Sequence, residues 1–299
     1  MNLSRRLFFK VGGATGAAAL VGRATPASAS VAKPVSTPAV LVDTTKCAGC
    51  RACEAACAEK NMLDGPARAG DPGVLDARRT TDERTFTVVN RMSTDPERFV
   101  KTQCLHCVEP GCASACPTRA LEKTVAGPVV YHGERCLGCR YCMLSCPFEM
   151  PKYEYNDPAP YVKKCEFCAD RQARGELPAC VDVCPSGALT FGRRDELIEE
   201  ARRRIYSEPG RYVAHIYGEH EAGGTSWLYI TDQKLEALGL PTNVPSVPYA
   251  SLASGAMSIV PFVLTLWPPL LLGLYSFSQR SSGSSHEGAA AAHEEDRHA

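Results

Sequence analysis

Sixteen cysteines in four groups of four constrain this 299-residue chain more than any other feature of its sequence. Each group opens with two cysteines three residues apart and closes with two that are four residues apart, and no cysteine is left over. The groups are Cys47, Cys50, Cys53, Cys57; Cys104, Cys107, Cys112, Cys116; Cys136, Cys139, Cys142, Cys146; and Cys165, Cys168, Cys180, Cys184. Runs of the form C-x2-C-x2-C-x3-C are typical of [4Fe–4S] ligands, so the pattern predicts four such clusters in one chain.

Three other uses of cysteine fit this pattern less well. Residues as close as Cys47 and Cys50 form disulfides only with strain. Structural zinc sites need only two C-x2-C pairs, without a third and a fourth cysteine at regular spacing after each pair. A c-type haem needs a histidine after the second cysteine, where this chain has Arg51, Val108, Arg140 and Ala169. A proline follows the last cysteine of every group except the first, as in ferredoxin runs.

The pairing of the groups follows from the rule that the fourth cysteine of each ferredoxin run binds the cluster of the other run. Groups two and three then form one two-cluster unit, and groups one and four form an interrupted unit around it. We therefore expect an α+β fold with two interleaved ferredoxin-like two-cluster modules. The predicted ligand sets are site 1 (Cys47, Cys50, Cys53, Cys184), site 2 (Cys104, Cys107, Cys112, Cys146), site 3 (Cys116, Cys136, Cys139, Cys142) and site 4 (Cys57, Cys165, Cys168, Cys180).

Three polar residues inside the runs leave two interpretations open. His106 lies between two ligands, where it either raises a cluster potential or is a partly exposed histidine without a redox role. Arg51 and Arg140 either offset cluster charge and dock a partner or are ordinary solvated cations.

The N-terminus predicts export. Residues 1–29 contain an Arg5-Arg6 pair, a weakly apolar stretch and the small residues Ala27-Ser28-Ala29, which is the pattern of a twin-arginine signal peptide. A short basic amphipathic segment is the alternative. Clusters assembled in a reducing cytosol require export of a folded chain, which this route provides. Residues 30–39 form a linker rich in Pro, Ser and Thr.

The C-terminal part predicts a single transmembrane helix within residues 251–278. The run from Ala256 to Phe277 carries no charge, and as a helix it would be about 33 Å long, enough for a hydrocarbon core of roughly 30 Å. A buried hairpin or an apolar arm on a partner is the alternative. Arg280 favours a cytoplasmic C-terminus, and residues 279–299 have the composition of a disordered tail.

Between these ends, residues 40–194 form the cluster domain, with an insertion at 61–98, and residues 195–250 form a C-terminal extension. Strands are predicted at 40–42, 85–89, 129–131, 188–191 and 227–230, and a helix is predicted at 195–205. The rest of the insertion, outside the strand at 85–89, is expected to be a solvated loop or a segment ordered by a partner. Because 33 basic residues balance 33 acidic ones, no nucleic acid partner is indicated.

The motifs also resemble a known family. The stretch from Cys136 to Cys142, Cys146-Pro147 and Pro151-Lys152-Tyr153 are similar to the electron-transfer subunits of molybdopterin oxidoreductases and respiratory hydrogenases. With the twin-arginine signal, the terminal helix and Gly223-Gly224-Thr225, the chain most resembles the HybA-type iron–sulfur subunit of membrane-bound nickel–iron hydrogenase. Gly223-Gly224-Thr225 also resembles the beta subunit of formate dehydrogenase.

This resemblance implies an electron-transfer subunit without a catalytic site, anchored at the periplasmic side of the inner membrane. Its iron would be bound through the same sixteen cysteines. The implied partners are a catalytic subunit and an integral membrane subunit that reacts with quinone. The catalytic partner would be a nickel–iron hydrogenase, with formate dehydrogenase or a sulfur-compound or sulfoxide-type molybdopterin reductase as alternatives.

Overall fold

A computed structural model describes residues 37–64, 72–252 and 260–278 of the chain. The strands are β1 (Pro38–Asp43), β2 (Thr87–Met92), β3 (Arg98–Gln103), β4 (Leu121–Lys123), β5 (Val129–Tyr131), β6 (Lys152–Tyr153), β7 (Val162–Lys163), β8 (Leu189–Arg193) and β9 (Trp227–Ile230). The helices are α1 (Ala52–Lys60), α2 (Gly111–Ser114), α3 (Tyr141–Leu144), α4 (Ala169–Ala173), α5 (Ala179–Asp182), α6 (Arg194–Ser207) and α7 (Val260–Ser278). Three short 3-10 turns cover Pro72–Leu75, Gly133–Arg135 and Glu221–Gly223.

A three-stranded mixed sheet joins the two ends of the cysteine-containing region. Its order is β8-β1-β9, with β1 antiparallel to β8 and parallel to β9. The central strand β1 reads as an almost continuous apolar run because both of its faces are covered. Val40 and Val42 point into the main core, whereas Ala39 and Leu41 point into a second core. The predicted strands at 40–42, 188–191 and 227–230 are confirmed to within a few residues.

The second core lies between this sheet and α6. The helix contributes Leu197, Ile198 and Ala201, which share one face by their i, i+1 and i+4 spacing. Acidic residues in its first turn and Arg204 in its last turn suit the helix dipole. The second core contains no cysteine; its buried members are Ala39, Leu41, Leu197, Ile198, Ala201, Tyr212, Ile216, Leu228 and Ile230.

The strand predicted at 85–89 is confirmed as β2, which forms a hairpin with β3 at the end of the insertion. Strands β2 and β3 pair antiparallel from Thr87 with Gln103 to Met92 with Arg98. The Glu54 carboxylate on α1 accepts hydrogen bonds from the Val89 amide and from Arg79, both at 2.5 Å. Contacts with α1 and the main core therefore hold this part of the insertion in place.

Two small hairpins, β4–β5 and β6–β7, enclose a third core. This core is thin, and cysteines make up part of it; its buried members are Cys112, Leu121, Val129, Cys142 and Val162. So few apolar side chains bury little surface, and hydrophobic burial is the main driving force for folding. The stability of the third core therefore depends on the group that its cysteines bind.

The helix α7 is the one described helix that is long and apolar enough to cross a membrane. Its 19 residues have a mean hydropathy of 1.5 and are not covered by the rest of the described chain. The hydroxyls of Thr265 and Ser276 donate to the carbonyl oxygens four residues earlier, both at 2.8 Å, so neither donor is left unsatisfied. The predicted signal peptide, most of the linker, residues 253–259 and the tail lie outside the described residues.

We predict that replacing Gly218 by alanine destabilises the sheet more than the same change at Gly210. Both glycines have positive φ angles, of 94° and 86°, so both substitutions incur a backbone cost of ~1–2 kcal/mol. A β-carbon at Gly218 would also meet the carbonyl oxygen of Trp227, whereas nothing lies within 4 Å at Gly210. The midpoint of anaerobic thermal unfolding should fall further for Gly218→Ala, and equal decreases would contradict this account.

Candidate metal centres

Two cavities in the cysteine-containing region are each lined by one complete predicted ligand set. The four cysteines of site 1 line one cavity, together with β1 and the loop before β8. The four cysteines of site 4 line a second cavity, together with Phe167 and Trp227. Each cavity is lined by three cysteines of one group and one cysteine of the other. Cys184 of the fourth group joins the first group at site 1, and Cys57 of the first group joins the fourth group at site 4.

Sites 2 and 3 are recognised from the effect that the charge of each cysteine has on the pKa of the others. Burial, followed by the charges of Cys104, Cys146 and Cys112, raises the pKa of the Cys107 thiol well above its ordinary value. Similarly, burial and then the charges of Cys116, Cys136 and Cys139 raise the pKa of Cys142 to about 11. Cys146 therefore lies among the first three cysteines of the second group, and Cys116 lies among those of the third.

The cysteine side chains are free thiols. All sixteen cysteines lie within the described residues, and none of them is joined to another by a disulfide. Within the described residues, no three His, Cys, Asp or Glu side chains converge closely enough to bind a single metal ion. A zinc ion would need its sulfur ligands at about 2.3 Å from one centre. Four free thiols at a site form the donor set of a [4Fe–4S] cluster.

The backbone around the cysteines curls tightly and directs amides toward sulfur. Arg51, His106 and Arg140 adopt left-handed conformations with φ of 58°, 48° and 59°, which non-glycine residues adopt at a cost. Amide N–H groups donate to cysteine sulfur atoms at 3.2 Å from Ala120 to Cys116, 3.4 Å from Gly138 to Cys136, 3.3 Å from Phe167 to Cys165 and 3.5 Å from Met150 to Cys146. Such donors stabilise thiolates and tune the potential of a bound cluster.

Burial makes a positive core necessary if all four thiols of a site are to ionise together. Burial, in opposition to the Lys101 charge, raises the pKa values of Cys53 and Cys57 to about 12. Iron in a cluster would remove this penalty, because metal binding requires deprotonated thiols and compensates their charge. Among the buried polar atoms without a partner in the described residues is the Nε1 of Trp227, a residue that lines the site 4 cavity. These residues fit iron–sulfur clusters.

The structure shows that the His106 side chain is buried. The side chain is 1% exposed, its Nδ1 accepts a hydrogen bond from the Val129 amide at 3.0 Å, and its ring stacks on Phe167. Burial, with the charges of Lys164 and Lys123, holds its pKa well below the ordinary value. The expectation of a partly exposed side chain is wrong, and a positive charge on this ring is disfavoured.

The two arginines differ from each other. Arg51 is buried and pairs with Glu54 at 3.5 Å, so the interpretation as a solvated cation is wrong for it. Arg140 is exposed and lies over the rings of Tyr153 and Tyr155, at 5.6 and 5.7 Å from their centroids.

Sequence reasoning missed two residues that line the cavities. Lys101 on β3 lines both the site 1 and the site 4 cavity, and Trp227 on β9 lines the site 4 cavity. Neither belongs to a cysteine motif. Alternation along β3 places Phe99, Lys101 and Gln103 on one face, but this pattern does not reveal that the face is buried.

Comparison with known proteins agrees with this chemistry. The model of the 4Fe–4S dicluster domain matches residues 97–194, which contain groups two and three and the whole of group four. A protein of Nitratidesulfovibrio vulgaris strain Hildenborough is 43% identical over 292 residues, covering 93% of this chain and 78% of the relative.

Two further relatives are named for the complexes to which they are linked. Hydrogenase-2 operon protein HybA of Escherichia coli O157:H7 is 37% identical over 236 residues, covering 68% of this chain and 72% of HybA. The iron–sulfur subunit of the nitrate-inducible formate dehydrogenase of E. coli K12 is 35% identical over 230 residues, covering 73% of this chain and 77% of that subunit. With its cysteine-lined sites, this chain belongs to the HybA-like family of [4Fe–4S] iron–sulfur proteins, which includes the iron–sulfur subunits of formate dehydrogenases.

Proposed function

We propose that this chain is the electron-transfer subunit of a periplasmic, membrane-bound respiratory oxidoreductase. It would relay electrons through four [4Fe–4S] clusters between a catalytic subunit, a nickel–iron hydrogenase, and the quinone pool. The observation that carries this proposal is the pair of cavities that are each lined by four of the sixteen cysteines. Sites 1 to 4 would hold the clusters through the ligand sets predicted above, in two interleaved modules.

A shared cavity-lining residue and the electrostatic effects of cysteines on one another support one linear order of the quartets. The order is site 1, site 4, site 2 and site 3. Lys101 lines the cavities of sites 1 and 4, so these two adjoin. After burial, the charges of Cys57 and Cys104 are the next causes that raise the pKa of Cys165, which brings site 2 next to site 4. In the same way the charge of Cys142 contributes to the raised pKa of Cys112, which brings site 3 next to site 2.

Only the two ends of this series have exposed ligands. Cys50 of site 1 and Cys139 of site 3 are exposed, whereas the cysteines of sites 2 and 4 are buried or half-buried. Apolar side chains surround the exposed end of site 3, including Leu137, Tyr141 and Leu144, of which Leu144 is 83% exposed. Exposed apolar groups of this kind mark contact surfaces. Each end would therefore meet a different partner subunit.

The chain before α7 packs beside site 2, which is the neighbour of site 3 in this order. This position supports site 3, rather than site 1, as the end nearer the membrane. Tyr249 packs beside Gly111, the residue before Cys112, and joins the rim of the main core. The apolar helix α7 follows 11 residues later and would serve as a single-pass anchor. Export by the twin-arginine route would place the cluster domain in the periplasm. Site 1 would then face the catalytic subunit, and site 3 would face an integral membrane subunit that reacts with quinone.

Bound clusters would each accept and release one electron, while the protein adjusts potential and distance. The chain's contribution is the thiolate ligands, the amides that donate to sulfur, and the buried side chains around them. No separate catalytic site is proposed for this subunit. The reaction of the substrate would take place in the catalytic partner.

Formate dehydrogenase is the second candidate partner, because its iron–sulfur subunit covers a share of this chain similar to that of HybA. The two candidates differ in the donor that reduces the clusters. The deciding experiment is to solubilise membranes anaerobically, purify the complex through a tag on this chain, and add hydrogen or formate. Hydrogen should bleach the visible absorption of the clusters, and formate should not.

The complex should also contain about sixteen iron and sixteen acid-labile sulfide atoms per copy of this chain, after subtraction of the partner's own content. Bleaching by formate alone would replace the hydrogenase with formate dehydrogenase. Absence of the chain from the membrane fraction, or zinc in place of iron, would contradict the proposal as a whole.

We predict that Cys146→Ser perturbs site 2, although Cys146 belongs to the third group in sequence. The matched control is Cys142→Ser, four residues earlier, which should perturb site 3. Electron paramagnetic resonance spectra of the reduced variants should show different clusters altered in the two proteins. If both variants damage the same cluster, the crossing of the fourth ligand is incorrect.

We predict that removal of iron unfolds the chain locally and in a set order. The third core has few apolar members besides cysteine, whereas the second core has no cysteine at all. Amide hydrogen exchange after anaerobic chelation should therefore increase first in β4–β5 and β6–β7, while α6 and β1 stay protected. Untreated protein is the control. Simultaneous loss of protection in α6 would show that the second core also depends on the clusters.

A further inference from the structure

Lys101 is a buried cation placed between two of the cysteine quartets. It lies on β3, its side chain is 2% exposed, and it lines the cavities of both site 1 and site 4. Its charge lowers the pKa of thiols on both sides, including Cys53 of site 1 and Cys165 of site 4, in each case against the larger effect of burial. The same cation therefore acts on both sites.

The contacts of Lys101 do not supply an opposite charge. Its Nζ donates to Thr87 Oγ1 at 2.7 Å and to Gln103 Oε1 at 2.8 Å, and it lies 4.5 Å from the centre of the Trp227 ring. None of the ion pairs between described residues joins it to a carboxylate. A buried charge without a partner is costly, so a compensating negative charge is expected close by.

The second buried acceptor, Gln103, is itself held in place. Its Nε2 donates to the Tyr229 hydroxyl at 2.8 Å, and that hydroxyl donates to the Lys101 carbonyl oxygen at 2.9 Å. This closed set of hydrogen bonds orients the Gln103 oxygen toward Nζ, so the ammonium position is determined by β3 and β9 together. The hydrogen bonds therefore fix the position of the Lys101 ammonium group in the folded chain.

We propose that Lys101 is a shared charge-compensating residue that raises the reduction potentials of the clusters at sites 1 and 4 together. This inference rests on the proposed function. A [4Fe–4S] cluster with four thiolate ligands carries a net negative charge, and that charge increases by one when the cluster is reduced. A fixed cation nearby stabilises the reduced state more than the oxidised state, and this raises the potential. Placed between two clusters, it also weakens their mutual repulsion.

Two other lysines, the half-buried Lys123 and the buried Lys164, differ from Lys101 in what they contact. Lys123 Nζ donates to the carbonyl oxygen of Cys107 at 2.8 Å, and Lys164 Nζ donates to the carbonyl oxygens of Val129 and Cys165. Both lysines are therefore engaged by main-chain carbonyls, and neither lines the cavity of site 1 or site 4. Lys101 is thus expected to act on a different pair of clusters from Lys123.

The test compares Lys101→Met, Lys101→Gln and Lys101→Arg in the full-length chain within its complex. Lys234→Met, at an exposed lysine of the same extension that carries Trp227, is the matched control. Iron content is measured first. Potentiometric titration followed by electron paramagnetic resonance then gives the midpoint potential of each cluster. We expect two of the four midpoints to become more negative in Lys101→Met and Lys101→Gln, and all four to be nearly unchanged in Lys101→Arg and Lys234→Met.

The outcomes separate this inference from the proposed function. Wild-type protein without four reducible clusters would contradict the function itself. Four normal clusters in wild type and unshifted midpoints in both neutral variants would overturn only the role of Lys101. If the neutral variants lose iron while Lys101→Arg retains it, the need for a cation is supported. Loss of iron in Lys101→Arg as well would overturn the inference, because side-chain packing rather than charge would then be responsible.

Discussion

Repulsion between thiolates that share a closed space governs the cysteine-containing region. Four cysteines, three from the first group and one from the fourth, line one cavity, and burial raises the pKa of Cys47 and Cys53 among them. Such a group is unstable unless a positively charged core binds it, so the fold and its inorganic content depend on each other. The thin third core follows from this dependence, because cysteine occupies positions where larger apolar side chains would otherwise pack.

The parts of the chain without cysteine serve this arrangement in two ways. The mixed sheet and α6 form a cysteine-free second core, against which β1 positions the first group of cysteines. The β2–β3 hairpin and β9 bring polar side chains to the cavities, namely Lys101 from one and Trp227 from the other. The C-terminal extension thus shares in the site 4 wall and is more than a link to α7. A fixed scaffold of this kind keeps charges in place while the charge of a bound cluster changes.

Sequence reasoning succeeded for elements with a strong local pattern. The apolar run of β1 and the amphipathic spacing of α6 are both present in the structure within a few residues of the expected bounds. The four-residue helices α2, α3 and α5 are too short to show a helical period, so their sequences carried no signal. The strand at 85–89 was predicted and is present as β2, but its pairing with β3 was not predicted. The order of this hairpin comes from contacts with Glu54 of α1, which is far away in sequence.

The cysteine spacing by itself determined the chemistry of the ligands, because the reach between thiols three or four residues apart depends only on local backbone geometry. The ferredoxin rule predicted which distant cysteine faces each group, whereas the tertiary structure alone decided which other side chains line the cavities of sites 1 and 4. It also decided that His106 and Arg51 are buried and that Lys101 lies between two quartets. These features depend on how segments far apart in the chain come together, and electrostatic effects act through space rather than along the sequence.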